Sequence, residues 1–457
     1  MSTSKSVYQK DAELAKTKLD SVSPSFCLAK WNQVSLHLPT GLTNSCYHPP
    51  LHNIDAEALK SNPAALHNTA QKIKERQQML KGEKPDGCSY CWNIEDAGGT
   101  SDRIYRSGEP WAIQDFESIK NKPIDSEWTP RYVEVNFNNA CNLKCSYCSP
   151  QFSTTWAQEI DRYGQYPTSP AHNAPEHFQG RRRPIPQREE NPYVEAFWRW
   201  WPTLYKSLKH FRMTGGEPMM DKNTYKVLQY IIDNPKKDLH LNVTSNMCPP
   251  DQKLKNKYFD MIKQICLEEK VEHMMQFVSV DAHGPQAEYI RHGLNWNLFQ
   301  STVEEFLERI PVRNSVTFII TYNNLSVTTL DKLLNYIGEL RQRYSTTYQR
   351  VWFDIPLLRQ PAWQQITLLP ESYQQIHEDN ITMMQKPAEG YGAYKDFEIQ
   401  KMLRNLAYWK KNADASTQQK KNFYAFFSEH DRRRGTSFEK TFPEMEEFWQ
   451  ECKNTNG

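Results

Sequence analysis

The chain has 457 residues, of which 38% are hydrophobic, and a formal net charge of +2. This length allows a large core and two or three domains, and the near-zero charge argues against a strongly basic nucleic-acid binder. No stretch approaches the ~18 apolar residues of a membrane span, and the polar N-terminal region lacks the apolar segment of a secretory signal. We therefore predict a soluble, cytoplasmic protein without a membrane partner.

The first predicted elements form a strand hairpin with a cysteine on each side. Cys27 precedes an alternating apolar pattern over 34–38. A Pro-Thr-Gly sequence that ends at Gly41 turns the chain, and Cys46 follows it. The alternation is typical of a half-buried strand, and the Pro and Gly are typical of the turn between two strands.

Two more cysteines follow in a Cys-x-x-Cys loop, at Cys88 and Cys91. Because the chain carries ten cysteines and no secretory signal, metal or redox use is favoured over disulfide bonds. Four thiolates at these spacings suit a structural zinc site, and they also suit an iron–sulfur cluster. The spacing alone leaves both possibilities open.

A second group of thiols lies within eight residues, at Cys141, Cys145 and Cys148. The preceding segment 131–137 alternates like a strand, so the motif is predicted on a loop at a strand's carboxyl end. Three ligands on one loop can hold three irons of a cubane and leave the fourth iron open. Zinc is the alternative, although no fourth Cys or His follows within about twenty residues.

From this motif onward, predicted strands alternate with helical patterns. Such alternation requires a parallel sheet with right-handed crossovers, and functional groups are expected at the carboxyl ends of the strands. Six units fit an α/β fold of the partial (β/α)6 TIM-type barrel kind better than a closed eight-stranded barrel. The predicted strands are 131–137, 210–213, 239–243, 275–281, 316–320 and 351–355, with helices at 285–308 and 326–344 among the connections.

The second of these strands ends in Gly215-Gly216-Glu217. Two glycines allow the backbone to approach a ligand closely, and a carboxylate beside them can accept hydrogen bonds from an ammonium group. An ordinary turn is the alternative for this short pattern. Its position one strand–helix unit after the three-cysteine loop favours a binding site.

The Cys-x3-Cys-x2-Cys loop followed by Gly-Gly-Glu resembles the radical S-adenosylmethionine superfamily, over roughly residues 26–360. The resemblance implies a [4Fe–4S] cluster on Cys141, Cys145 and Cys148, with S-adenosylmethionine bound at the open iron. One electron would then cleave the sulfonium bond to give methionine and a 5′-deoxyadenosyl radical, which would abstract hydrogen from a substrate. The resemblance also implies a set of cofactor-binding residues: Tyr147, Gly215, Gly216, Glu217, Ser245, Asn246, Ser279 and Arg291.

Within that set, Glu217 would bind the amino group of the methionine moiety. Ser245 and Asn246 would bond the ribose hydroxyls, and Ser279 would reach the ribose, the carboxylate or the substrate. Arg291 would pair with the methionine carboxylate, because a guanidinium matches a carboxylate as a fork. Ordinary loop contacts and helix caps are the alternatives for each of these side chains.

The N-terminal cysteine pattern, with Gly41 between the first two cysteines, resembles the auxiliary-cluster pattern of the SPASM and twitch extensions of radical enzymes. It implies a second [4Fe–4S] cluster on four ligands, which suits twitch. In most relatives this extension follows the barrel, whereas here it precedes it. The implied ligands are Cys27, Cys46, Cys88 and Cys91.

We therefore predict three domains: a twitch-like module at 1–125, the barrel at 126–360 and a mainly helical extension at 361–457. The barrel carries a polar insertion at 164–192, which is either a solvated loop or a lid. Its basic run Arg181–Arg183 could steer an acidic partner.

The predicted function is radical modification of a peptide or protein side chain, with an electron donor such as ferredoxin or flavodoxin. The N-terminal cluster would accept or relay an electron. The alternatives are a non-catalytic, zinc-stabilised binding protein on a barrel scaffold, and radical modification of a small molecule or RNA.

Overall fold

The computed structural model describes residues 7–174, 183–387, 390–414 and 416–455. Strands in these ranges are β1 (Gln33–His37), β2 (Leu42–Asn44), β3 (His52–Asn53), β4 (Tyr132–Asn136), β5 (Lys144–Cys145), β6 (His210–Thr214), β7 (Lys236–Ser245), β8 (Val271–Ser279), β9 (Arg291–His292), β10 (Ser315–Ile319) and β11 (Val351–Asp354). The α-helices are α1 (Val7–Asp20), α2 (Ala29–Asn32), α3 (Ala56–Ser61), α4 (Ala70–Leu80), α5 (Ser89–Asp96), α6 (Asp102–Gly108), α7 (Pro110–Ile113), α8 (Phe116–Lys120), α9 (Thr154–Tyr163), α10 (Pro192–Ser207), α11 (Lys222–Asp233), α12 (Gln252–Leu267), α13 (Pro285–Ile290), α14 (Trp296–Arg309), α15 (Leu330–Tyr344), α16 (Gln374–Gln385), α17 (Asp396–Lys411), α18 (Thr417–Arg434), α19 (Phe438–Thr441) and α20 (Glu446–Asn454).

The fold is α/β, built on a nine-stranded, mostly parallel sheet. Its strand order is β11-β10-β8-β7-β6-β4-β1-β2-β3. The six strands predicted from 131 onward are all present and follow one another across the sheet. The pairs β4–β6, β8–β10 and β10–β11 are parallel, so each pair brings two carboxyl ends to the same edge. Helices connect these parallel strands, as crossover connections require.

The predicted N-terminal hairpin is confirmed, and it also extends the sheet. Strands β1 and β2 pair antiparallel around Gly41, whose φ of +64° lies in the left-handed region that glycine adopts without strain. A Cβ at Gly41 would lie 2.1 Å from the Tyr193 ring, so no side chain fits there. Strand β1 then pairs parallel with β4, in a register that sets Leu36 beside Val135. This parallel pairing was not predicted from the sequence.

The prediction of one helix over 285–308 is wrong. The helix breaks after Ile290, where the two-residue strand β9 forms, and it resumes at Trp296. Gly293 adopts a φ of +102°, and the side chain of Asn295 accepts a hydrogen bond from the Leu298 backbone N–H at 2.8 Å. The first helix therefore ends before β9, Gly293 turns the chain after β9, and the Asn295 cap begins the next helix. The break allows β9 to form, and β9 pairs with β5, the strand that contains Cys145.

The first part of the predicted insertion packs against its own compact unit. Tyr166 is fully buried, and its ring stacks on Phe426 of α18 with centroids 4.5 Å apart. The Ser169 backbone N–H donates to Asn422 Oδ1 at 2.8 Å. A solvated loop is therefore the wrong description for 164–174. Arg181 and Arg182 of the predicted basic run lie outside the described residues.

The chain divides into two compact units. One comprises 1–138, 183–215 and 238–241, and the other comprises 139–182, 216–237 and 242–457. The predicted domain limits at 125 and 360 stay predictions. Across the described ranges, no helix combines the length and hydrophobicity of a membrane-crossing segment.

Candidate functional site

We name the three-cysteine segment Cys141–Cys148 the cluster loop. Contacts in its short strand β5 and just after that strand hold it in place. In β5, Cys145 pairs with Arg291 of β9, so the loop gains a backbone partner far along the chain. Just beyond it, the Ser146 N–H donates to the Ile290 carbonyl at 2.7 Å, and Ser146 Oγ donates to Gln364 Oε1 at 2.7 Å. The loop is therefore held by backbone and side-chain contacts from two other segments.

The thiols of the cluster loop lie close enough together to affect one another's ionisation. Burial, followed by the Cys145 thiol, raises the pKa of Cys141 well above its ordinary value. The same two causes raise the pKa of Cys148 to about 12. Proximity of like charges in a buried loop favours the neutral thiols, whereas a bound metal would favour the thiolates. The loop has the donor set that a thiolate-held cluster requires.

Glu217 lies beside the first cysteine of this loop, and its carboxylate is only 1% exposed. Its Oε1 accepts hydrogen bonds from the Met219 N–H at 3.0 Å and from Ser245 Oγ at 2.9 Å. Its Oε2 accepts from the Asn246 N–H at 2.8 Å. Burial raises the pKa of Glu217 to about 6, against these hydrogen bonds, which lower it. A carboxylate accepts about four hydrogen bonds, so one position is left for an ammonium group.

The two glycines before Glu217 are required by contacts within the protein. A Cβ at Gly215, whose φ is +117°, would lie 2.1 Å from Asn136 Oδ1. A Cβ at Gly216 would lie 2.2 Å from the Ala140 carbonyl, which accepts the Glu217 N–H at 2.6 Å. Gly216 therefore lets the chain that carries Glu217 lie directly against the start of the cluster loop.

The residues predicted to bind ribose contact the same network. Ser245 donates to Glu217, and the Asn246 side chain donates to Asn142 Oδ1 of the cluster loop at 3.0 Å. The Oδ1 of Asn246 accepts from the Cys248 N–H at 2.8 Å. Ser279 ends β8 half-buried, and its hydroxyl bonds to no described residue. The structure thus brings Ser245 and Asn246 to Glu217 and gives both a role in holding the loop.

Arg291 is placed differently from the prediction. Its guanidinium is buried against Asp281, with Nε 2.9 Å from Oδ2 and Nη2 donating to Oδ1 at 3.0 Å. Nη2 also donates to the Tyr147 hydroxyl at 2.7 Å, and Nη1 donates to Cys145 Sγ at 3.6 Å. Asp281 therefore fills the fork that was predicted to bind a ligand carboxylate. Arg291 is therefore in place to orient the cluster loop through Tyr147 and to bring positive charge to Cys145.

Sequence reasoning missed a second arginine that supports the loop. Arg434, at the end of α18, is fully buried and donates to the Lys144 carbonyl at 2.9 Å. Its Nε lies 3.1 Å from Glu159, and its guanidinium lies 4.7 Å from the Trp156 ring. Trp156 in turn donates from Nε1 to the Cys145 carbonyl at 2.9 Å. The Asp-Arg-Arg-Arg-Gly sequence at 431–435 gave only a compositional signal for this contact.

The four N-terminal cysteines meet around one pocket, although they come from separate segments. This thiol pocket is lined by Cys27, Cys46, Cys88 and Cys91, and it has about 480 Å³ of empty space, including solvent at its mouth. Three of the four are buried, and Cys46 is half-buried. The structure therefore brings together the whole cysteine set that was selected from spacing.

Basic side chains also line the thiol pocket. Lys30 is 2% exposed, and its Nζ lies 2.6 Å from Glu75 Oε2. Arg103 is equally buried, and its Nη2 lies 2.7 Å from Glu95 Oε2. Arg106 lines the pocket as well. Buried cations next to thiols can compensate the charge of a bound anionic group, such as a metal group held by thiolates.

The pKa values of the pocket thiols reflect their burial and their proximity. Burial, and to a smaller extent the thiol of Cys27, raises the pKa of both Cys46 and Cys91 to about 12. Burial also raises the pKa of Cys88, whereas Lys30 lowers it. These thiols are therefore neutral near pH 7 unless a metal stabilises the thiolates.

Within the ranges that the structure describes, no group of three or more Cys, His, Asp or Glu side chains is arranged to hold a single metal ion. A cubane distributes its thiolates over different irons, whereas zinc takes its four ligands at about 2.3 Å from one ion. The chemistry of both donor sets fits a thiolate-held cluster. The choice between zinc and iron–sulfur for the thiol pocket stays a prediction.

No protein-family model matches this chain, and no curated protein matches it. The contacts within the site therefore carry the functional argument.

Proposed function

We propose that this protein is a radical S-adenosylmethionine enzyme that modifies a peptide or protein side chain. The observation that carries the proposal is the contact between the cluster loop and the segment of Glu217. Three mutually close thiols and a buried carboxylate with one free acceptor position lie side by side at the ends of parallel strands. The proposal includes a partial barrel built on the six predicted strands and a twitch-like auxiliary site in the thiol pocket.

In this proposal, Cys141, Cys145 and Cys148 hold a [4Fe–4S] cluster, and Glu217 accepts the ammonium of S-adenosylmethionine. When bound, these groups supply reductive cleavage of the sulfonium bond and hydrogen abstraction from the substrate. Ser245 keeps the Glu217 carboxylate oriented through its hydrogen bond at 2.9 Å. A site held in one geometry before binding needs less reorganisation during reaction.

Arg291 has a positioning role in this proposal. Its pair with Asp281 is buried, and it reaches both Tyr147 and Cys145 in the cluster loop. A cation at this distance stabilises the thiolate form of Cys145. It also fixes the loop against β9, so that the ligand thiols keep their relative positions.

In the thiol pocket, Cys27, Cys46, Cys88 and Cys91 are proposed to hold a second [4Fe–4S] cluster. The support is the convergence of the four thiols next to the buried cations Lys30 and Arg103. An electron donor such as ferredoxin or flavodoxin belongs to the proposal as the source of reducing equivalents.

The test is anaerobic reconstitution followed by iron analysis and product detection. We expect about eight irons per chain, from two four-iron clusters, and about four after Cys141, Cys145 and Cys148 are changed to alanine. With dithionite, the wild-type protein should release 5′-deoxyadenosine from S-adenosylmethionine, and the triple variant should not.

The matched control changes Cys266 and Cys452 to alanine, two buried cysteines outside both thiol groups. This variant should keep about eight irons and the product. One bound zinc and about four irons in the wild type would remove the auxiliary cluster from the proposal. Release of no 5′-deoxyadenosine by the fully loaded protein would overturn the enzyme assignment.

A further inference from the structure

A second cavity lies at the other end of the cluster loop. It has about 620 Å³ of empty space, including solvent at its mouth, and is lined by Tyr147 and Cys148 on one side. Glu217, Ser245 and Asn246 contact the opposite end of the loop, near Cys141 and Asn142, and do not line this cavity. Tyr147, which is also one of the predicted cofactor residues, lines the cavity, so the cavity adjoins the predicted cofactor site at this end of the loop.

The first part of the predicted insertion forms one wall of this cavity. His172 and Asn173 line it, and the Asn173 side chain donates to the Cys148 carbonyl at 3.1 Å. The wall is held from behind, because the Tyr166 ring lies between Phe426 and the Arg433 guanidinium, which is 4.0 Å from the ring centroid. A wall fixed in this way can select a ligand by shape.

The opposite wall comes from the segment after β11. Gln360 and Trp363 line the cavity there, and the Trp363 ring meets His172 edge-to-face at 5.3 Å. The remaining lining residues are Ser149, Pro170, Ala171 and Pro361. None of the residues that line this cavity, all within the described ranges, is Lys, Arg, Asp or Glu.

We propose that this cavity is the substrate pocket and that it takes an uncharged, ring-bearing side chain of a peptide. Aromatic walls favour a ring through edge and offset contacts, and the amides of Asn173 and Gln360 can bond a hydroxyl or a peptide group. A charged side chain would lose hydration there without meeting a Lys, Arg, Asp or Glu partner among the lining residues. This inference rests on the proposed function and names its substrate class: the reacting group is neutral, whatever charge the rest of the substrate carries.

The experiment measures binding by saturation-transfer NMR with the full-length, anaerobically prepared protein. The probes are N-acetyl-L-tyrosinamide and the N-acetyl α-amide of L-aspartate. We expect transfer to the tyrosine ring and about tenfold weaker transfer to the aspartate probe, because the buried charge finds no counter-ion.

Ala171→Trp fills the cavity from the insertion wall and should abolish transfer to the tyrosine probe. Gln360→Trp fills it from the opposite wall and should do the same, so a folding defect in one variant does not decide the result. Ala413→Trp, at an exposed position after α17, is the matched control and should bind like wild type.

Equal binding of both probes, or unchanged binding in the two filled variants, overturns the assignment. The measurement needs neither reduction nor turnover. Binding that is lost in the filled variants, together with absent 5′-deoxyadenosine release, would therefore leave the pocket standing and remove the enzyme proposal alone.

Discussion

The two cysteine groups of this protein are assembled in opposite ways. The cluster loop carries three thiols within eight residues, and ion pairs at Asp281 and Glu159 hold it in place. The thiol pocket gathers Cys27, Cys46 and the Cys88-x-x-Cys91 loop from segments up to sixty residues apart, around buried cations. The loop is thus braced without any metal, whereas a metal bound in the pocket would cross-link the chain. Binding that cross-links separate segments contributes directly to folding.

The largest effect that separates the two groups is therefore on stability. Changing all four pocket cysteines to serine should lower the free energy of unfolding by about 5 kcal/mol or more, because the proposed metal group would stabilise only the folded state. The triple cluster-loop variant should lose only about 1–3 kcal/mol. Urea unfolding of the reconstituted proteins measures both, and equal losses would show that the loop depends on its metal as much as the pocket does.

The Arg291–Asp281 ion pair that supports the cluster loop can be removed without changing a cysteine. Arg291→Met leaves Asp281 buried without its partner, which should cost about 3–5 kcal/mol of stability. The double change Arg291→Met with Asp281→Leu removes both charges and should recover part of that loss. Urea unfolding compares the single and double variants. No recovery in the double variant would mean that the contacts of Arg291 with Tyr147 and Cys145 dominate.

In the thiol pocket, the corresponding change is Lys30→Met. Glu75 would lose its partner, but its side chain is 10% exposed and can regain water, so the expected cost is nearer 2–3 kcal/mol. Lys30 lowers the pKa of Cys88, so in metal-free protein the variant should also react more slowly with iodoacetamide at Cys88. Mass spectrometry of the labelled peptides gives the rate. Lys72→Met, a buried lysine that does not line the pocket, is the control and should leave that rate nearly unchanged.

The smallest expected effects are on pH dependence, and they distinguish Glu217 from Glu159, two carboxylates in the compact unit that contains the cluster loop. The raised pKa of Glu217, about 6, means that affinity for S-adenosylmethionine should fall as pH drops below 6, by about tenfold per pH unit. Equilibrium dialysis between pH 5 and 8 measures this. Glu217→Gln should bind weakly at every pH, and a wild-type affinity that does not change with pH would contradict the ammonium contact.

Glu159 should behave in the opposite way. Although burial raises it, the pKa of Glu159 is held at about 2, chiefly by Arg434. Its folded pKa lies below the unfolded value, so its contribution to stability is present above about pH 4.5 and is lost as pH falls toward 2. Glu217, with its folded pKa raised, destabilises the fold as pH rises from about 4.5 through 6. Acid unfolding of Arg434→Gln should therefore begin at a higher pH than that of wild type.

Local patterns predicted the elements of this fold, and contacts between distant segments escaped prediction. Alternation located all six later strands, because each buries an apolar face. The three thiols and Glu217 were selected from spacing and from the resemblance, and the structure places Glu217 near Cys141. The pairing of β5 with β9 and the contact of Arg434 with Lys144 were not, since neither leaves a local periodic signal. Gly293 and Asn295 could have indicated the break in the helix that makes β9 possible.

The distant contacts that hold the cluster loop can form only late in the synthesis of the chain. Arg434 is translated roughly 290 residues after Cys148, which at 5–20 residues per second is a delay of about 15–60 s. During that interval the loop has emerged, but the arginine that bonds its Lys144 carbonyl does not yet exist. During this interval the three thiols lie in a segment without its Arg434 contact, and oxidants and adventitious metals can reach them. Correct loading of the proposed cluster therefore requires that α18 has been synthesised, and slow translation of that region would lengthen the time during which the thiols are exposed.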